Sequence, residues 1–282
     1  MLFLTVENDL GEQLELTRNR NFDVLEVSGL NPPNAAINTY AISGMDGTKF
    51  NSARVEQRNI IILLNIHHSI EENRLTLYRF FRVKKWLKLY VKTDTRDVYI
   101  EGYVESFENS AFTDLQKPQI SIICPQPFFL AAVQDNVYFS ESVPLFEFPF
   151  SIPSSGIEFS RRSQITNLLL NAGEIDIGMT ILLHASANGV KNPVFYNLTT
   201  QEYFGVDITM QSGDLITICT ETGKKSVTLL RSGTVTNLLA DRKTGSSWVQ
   251  LISGENRLSF DAEEGQSNLD ATVIARQEFE GV

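Results

Sequence analysis

"RLTLYRFFRVKKWLKLYVK", residues 74–92, holds seven of the chain's 24 Lys and Arg residues and no Asp or Glu. The spacing of its apolar residues changes partway along. Up to Phe81 they recur at helical intervals, with Ile70, Leu77, Tyr78 and Phe81 on one face and Leu75 and Phe80 away from it. From Lys84 the period is two: Leu87, Leu89 and Val91 face one way, and Trp86, Lys88, Tyr90 and Lys92 the other. The stretch therefore predicts half a helix and half a strand, and its cations form no continuous helical face. The helix is expected over 69–81, with Ser69 as N-cap and Glu72 closing a capping box. Glu71 and Glu72 suit the positive end of its dipole.

Outward from this stretch the chain reads as short strands between turns. Upstream, "FDVLEVSGL" (22–30) alternates, with Val24, Glu26 and Ser28 on one face and Leu25 and Val27 on the other. A strand over 36–44 runs into Asp46-Gly47, a hairpin-type turn signal. "RNIIILLNI" (58–66) is continuous and β-branched, which predicts a central strand buried on both faces. Downstream, "TDTRD" (93–97) turns the chain back into "VYIEGYVESFE" (98–108), and "KPQISIICPQP" (117–127) follows. Prolines then punctuate the chain, placing a domain junction near 135–150. Beyond it, turn signals recur every eight to twelve residues between runs such as "MTILLHA", "LITICT", "SVTLL", "WVQLI" and "RLSFDA". That is the rhythm of an antiparallel sandwich or jelly roll.

Composition narrows the function classes. At 282 residues the chain has room for two domains, and 42% hydrophobic residues suit a globular protein. A net charge of −10 argues against DNA or RNA as main partner, because phosphate neutralisation supplies most of such affinity. Neither half is basic: the net charge is −3 up to residue 140 and −7 after it. Cys124 and Cys219 are too few for a disulfide framework or a metal cluster and read as buried thiols. No apolar run approaches the ~20 residues of a membrane helix. The N-terminus lacks a basic region ahead of an apolar one, which predicts a chain made and kept in a cytoplasm. Asn197-Leu198-Thr199 then reads as a turn, not a glycosylation site.

Catalytic chemistry is sparse. His67 and His68 are adjacent, so on an extended segment they point apart and cannot share a metal; His184 lies alone on a strand. No phosphate-cradling glycine loop, zinc spacing or nucleophile elbow occurs. No cofactor is expected. Trp248 and Arg257 could form a sugar platform on a β-sandwich, against the commoner reading of a core Trp beside a solvent-facing Arg.

A run of features in order gives the chain a family resemblance. These are the strand into "AISGMDGTKFNSARVEQRNIIILLNI", the helix "ENRLTLYRFF", the hairpin "KLYVKTDTRDVYIEGYVESFE" and the strand "KPQISIICPQPFF". The second half adds "SQITNLLLNAGEIDIGMTILLHA", "PVFYNLTTQEYFGVDITMQSGDLITICT" and "SSWVQLISGENRLSF". Together they resemble the distal tail protein (Dit) family of long-tailed, non-contractile phages, over nearly the whole chain. No single motif is diagnostic, and the His-Asn-Arg and Trp-Glu-Arg pattern of sugar-binding galectins is missing.

The resemblance implies a mainly β protein: a ring-forming (belt) domain with one helix over 1–138 and a galectin-like β-sandwich over 139–282. It implies a non-enzymatic virion component, six copies of which form a ring at the tail tip. The ring joins the tail tube protein to tip, baseplate or tail-associated lysin proteins and lets DNA pass, binding no specific nucleic acid and entering no membrane. The outer domains can dock receptor-binding proteins. In such a ring Arg79, Arg82, Lys84 and Lys85 are expected to meet acidic faces of neighbours or to line the lumen. The chain would be assembled in the host bacterial cytoplasm and end at the virion's tail tip. The alternative is a carbohydrate-binding adhesin-type β-sandwich protein that recognises a bacterial cell surface.

Overall fold

The computed structural model describes residues 2–110, 116–139, 142–144, 160–162 and 166–282. The protein is mainly β, with one α-helix among the described residues. It divides into two units, Met1–Val133 with Glu278–Val282, and Gln134–Gln277. The sequence reading ran the second domain to residue 282, but the last five residues pack in the first unit. Only contacts far apart in sequence hold them there, so no local signal marks them.

The first unit contains β1 (Phe3–Glu7), β2 (Gln13–Glu15), β3 (Phe22–Ser28), β4 (Ala35–Tyr40), β5 (Lys49–Val55) and β6 (Arg58–Ile66). Helix α1 (Ile70–Phe80) follows, then β7 (Trp86–Lys92), β8 (Asp97–Glu108), β9 (Gln119–Cys124) and β10 (Phe129–Ala131). The main sheet runs β2-β1-β7-β8-β9-β6-β3, all antiparallel. The alternation read in 86–92 is realised: Leu87, Leu89 and Val91 are fully buried, and the return strand pairs with them in the expected hairpin. Gly102 on β8 permits close packing, since a Cβ there would stand 2.6 Å from Ile122 and 2.9 Å from the Cys124 sulfur.

Several expectations are corrected. In β3, register slips at Leu25, leaving Val24 opposite Leu64 and Val27 opposite Ile62. This bulge turns Phe22, Val24 and Val27 to the core and pushes Leu25 out, where strict alternation would have set Val24 and Val27 on opposite faces. Strand β6 is buried on one face only; Ile61 and Leu63 are half-exposed on the other. At the helix start Ser69 makes no side-chain cap. Instead the buried Asn73 reaches back, its amide donating to the His67 and His68 carbonyls at 3.0 Å each. Phe80, expected off the apolar face, is buried with Leu77 and Phe81, whereas Tyr78 is exposed and meets Phe107 edge-on.

The second unit starts with β11 (Asp135–Tyr138), β12 (Ser142–Pro144), β13 (Ser160–Arg162), β14 (Thr166–Asn171) and β15 (Met179–Ala185). It continues through β16 (Val190–Lys191), β17 (Val194–Asn197), β18 (Glu202–Gly205), β19 (Thr209–Met210), β20 (Leu215–Cys219) and β21 (Ser226–Arg231). Strands β22 (Thr234–Asn237), β23 (Gly254–Asp261) and β24 (Leu269–Ala275) complete it. A six-stranded sheet, β11-β24-β15-β20-β21-β22, and a four-stranded one, β14-β23-β17-β18, close over one core. In that core Phe139 meets Phe195 and Phe260 edge-on. Cys219 is half-exposed, not buried, whereas burial pushes the Cys124 thiol of the first unit up to about 12.

The expected strand "WVQLI" is not one; it carries a single bridge, Ile177 to Leu251. Its backbone is held by three buried asparagines instead. Asn171 donates to the Leu251 carbonyl at 3.2 Å, Asn197 to Gln250 at 2.8 Å and Asn256 to Ile252 at 2.7 Å. The sequon residue Asn197 ends β17 fully buried, its Oδ1 accepting from the N–H of Thr199 in the following turn at 3.0 Å. Strand β25 (Glu278–Phe279) belongs to the first unit, pairing with β10.

Candidate assembly surface

Strands β4 and β5 form a two-stranded ribbon that pairs with no other strand among the described residues. The turn at Asp46-Gly47 closes it as the sequence predicts, with Gly44 and Gly47 at φ +82° and +84° where side chains are disfavoured. Opposite residues share a side in an antiparallel pair. Ala35, Ile37 and Thr39 therefore lie with Val55, Ala53 and Phe50, while Ala36, Asn38 and Tyr40 lie with Arg54, Ser52 and Lys49. One face is apolar and the other polar.

Asn51 creates that division. The register slips between Asn38 and Thr39, so Asn51 has no partner and Phe50 sits opposite Thr39. Without the bulge, strict alternation would turn Phe50 to the polar face. Yet nothing among the described residues covers the apolar side: Ile37 and Phe50 are 64% and 65% exposed, and Val55 is exposed beside them. A lone hairpin is marginally stable in water, so an amphipathic ribbon of this kind calls for a partner surface.

A second uncovered feature lies on the main sheet's outward face. Trp86 is directly opposite Tyr103, and Tyr103 opposite Ile123, giving a cross-strand row over β7, β8 and β9. Trp86 is 40% and Tyr103 49% exposed. The aromatics of residues 74–92 thus divide: Phe80 and Phe81 enter the core, and Trp86 stands outside it. Acidic residues flank the row, with Glu101 and Glu105 exposed on β8. Lys88 approaches Glu101 at 3.8 Å and also lies over the Trp86 and Tyr99 rings.

Three of the four cations singled out in the sequence, Arg79, Arg82 and Lys85, meet the β1–β2 turn. Arg79 forms a two-point pair with Glu12, its Nε donating at 2.9 Å. Arg82 pairs with Asp9, which Lys85 approaches at 3.7 Å. The turn is shaped by the buried Asn8, whose Oδ1 accepts from the Leu10 and Glu12 N–H groups at 3.0 Å. Arg79 holds the Glu12 carboxyl below the usual carboxylate range. Lys84, exposed at φ +67°, forms no ion pair among the described residues; its N–H donates to the Val104 carbonyl. The signal for these pairs was the acidic "ENDLGEQ" (7–13), but partners some 70 residues apart are not legible from spacing.

The other candidates separate. Trp248 packs on Phe204 with ring centroids 5.0 Å apart, against the second unit's core and under Lys225. Arg257 lies on the outward side of β23, opposite Leu168. His67 bonds Asp23, and His184 stands 3.7 Å from Asp270. No group of three or more potential metal ligands occurs among the described residues. No helix there is long and apolar enough to cross a membrane.

Residues 172–275 match the family model for the siphovirus-type tail component, C-terminal domain. The whole chain is similar to the crystal structure of the SPP1 Dit (gp 19.1) protein, described as a paradigm of the hub adsorption apparatus in Gram-positive infecting phages. That likeness has a TM-score of 0.67 at 14% identity and covers 98% of this chain and 99% of the other. Chains of the phage P2 baseplate in its activated conformation, with Ca and with Sr, match at TM-score 0.56 and 12% identity, end to end. No curated protein matches the sequence.

Proposed function

We infer, from the match of residues 172–275 to the siphovirus-type tail component C-terminal domain, that the chain is a structural, non-enzymatic protein of a phage or prophage tail tip. Six copies form a ring through the first unit, as in the distal tail proteins it resembles. The ring joins the tail tube to tip or baseplate proteins, a tail-associated lysin protein among them, and leaves a passage for DNA. The second unit, read as galectin-like, serves as the docking module for peripheral proteins such as a receptor-binding protein.

The observation that carries this reading is the β4–β5 ribbon, an apolar face sorted by a bulge and left uncovered by the described residues. A lone subunit gains nothing from that arrangement; an assembly does. DNA passage without binding agrees with a net charge of −10. Among the described residues Arg79 pairs with Glu12, Arg82 and Lys85 with Asp9, and Lys84 with no carboxylate, so four cations meet two carboxylates and leave a cationic surplus to offer a neighbour or the lumen. The test is assembly: Ile37→Asp with Phe50→Asp should abolish rings seen by electron microscopy while each unit keeps its unfolding midpoint. Intact rings in that variant would remove the ribbon from the account.

A further inference from the structure

Residues 29–34 lead from β3 into the β4–β5 ribbon, and at its open end the Glu56 N–H donates to the Asn34 carbonyl at 2.9 Å. Residues 278–282 close on this root. The Val282 N–H donates to the Leu30 carbonyl at 3.2 Å. Gly281 approaches so closely that a Cβ there would stand 3.1 Å from Pro32 and 3.2 Å from the Leu30 oxygen. Arg58 donates from Nη1 to the Gly29 and Asn31 carbonyls and from Nη2 to Glu280, so one guanidinium holds root and strap together. On the strap's other side Phe279 pairs with Phe129 and enters the first unit's core, and Arg96 donates to the Gly281 carbonyl.

The ribbon has little else to fix it. It pairs with no other strand among the described residues, and every residue of β5 is exposed. A lone hairpin is marginally stable in water, so its order and direction are set where it joins the unit. We propose that residues 278–282 are a latch on the ribbon's root: seated, they hold the ribbon ordered and in one direction; unseated, they loosen it while the main sheet stays folded. A five-residue strap held by a two-residue strand and a few hydrogen bonds belongs to the part of a fold that opens without global unfolding. Seating it pre-orders the ribbon's apolar face, which lowers the ordering cost of any contact that face makes. The latch acts within one copy and goes beyond the ring reading.

Hydrogen exchange read by mass spectrometry tests it on the full chain, at a concentration where the parent is a single copy. Gly281→Leu with Val282→Pro crowds Pro32 and removes the N–H that Leu30 accepts. In that variant residues 278–281 and 35–56 should exchange about tenfold or more faster than in the parent, while β7 and β8 stay protected. A freely exchanging strap beside a ribbon at the parent rate would overturn the inference. So would a strap that keeps its protection despite both changes. Should the main sheet lose protection as well, Arg96→Gln, which removes the Gly281 bond and the cover over Phe279, is read against the same two outcomes. As a second arm, the variant should need about tenfold more protein to form rings. A parent without rings would fail the ring reading and leave the exchange result standing. Rings at the parent concentration from a loosened ribbon would contradict the latch's part in assembly.

Discussion

Arg58 donates from Nη2 to the carbonyl oxygen of Glu280, 222 residues further along the chain. The same guanidinium donates to Pro127 at 2.7 Å and to the Gly29 and Asn31 carbonyls, and it lies over the Phe129 ring. One nearly buried side chain thereby joins the loop after β3, the turn before β10 and the returning chain end. Arg96 repeats the device on a smaller scale, bonding the Gly281 carbonyl and covering Phe279. The first unit is therefore complete only with residues 278–282 in place.

Replacing Arg58 with Met leaves four carbonyls without their donor, and a cost of about 3–5 kcal/mol is expected. Denaturation followed by Trp86 fluorescence, in a Trp248→Phe background, measures it. Removing 278–282 should lower the same midpoint. An unchanged midpoint in both variants would contradict the role given to this node.

Deleting Asn51 removes the unpaired residue and leaves an unbroken ladder in which Phe50 still faces Thr39 on the side of Ile37. Oligomers should therefore persist, in contrast to Ile37→Asp with Phe50→Asp, and the unfolding midpoint of the main sheet should stay within about 0.5 kcal/mol, as for an exposed site. Light scattering together with fluorescence reads both.

In the second unit, Asn256→Leu strips the Ile252 N–H and the Ile252 and Gly254 carbonyls of their partners, and it takes the acceptor from Asn197. Burial of those orphans predicts a loss of about 3 kcal/mol or more, read from Trp248 in a Trp86→Phe background. A loss below 1 kcal/mol would show that the network is dispensable.

Asp214 is buried, pairs with Arg231 and accepts from the Gln211 N–H at 2.7 Å. Arg231 above all, then that backbone bond, holds its carboxyl below the usual range. A lowered folded-state value means that the stabilisation is present above the unfolded carboxylate pKa, near 4, and fades as pH falls through the folded value. The second unit of the parent should therefore lose stability on acidification below about pH 4 more steeply than Asp214→Asn. Identical acid limbs would contradict the assignment.

Much of the framework was legible. The change from helical to alternating spacing near Lys84 separated α1 from β7 in sequence, and Asp46-Gly47 announced the ribbon's turn. What escaped depends on the opposite strand or on distant chain. Neither the slip at Leu25 nor that at Asn51 can be read from its own strand, yet each decides which side chains share a face. Ser69 looked like a cap because of Glu72, but the positive φ at His68 and Ser69 leaves the capping role to Asn73. "WVQLI" looked like a strand because its hydropathy is that of one; three asparagines elsewhere answer its backbone. The cations of 74–92 were expected to meet neighbours or a lumen; that Arg79, Arg82 and Lys85 meet Glu12 and Asp9 depends on an early turn some 70 residues away.

The most direct test of the central claim is electron microscopy of the purified chain, alone and with its tail tube and tip partners. The account predicts closed six-fold rings with an open centre, lost when Ile37 and Phe50 are both made Asp. Particles that stay single copies in both preparations, with the parent fully folded, would contradict it.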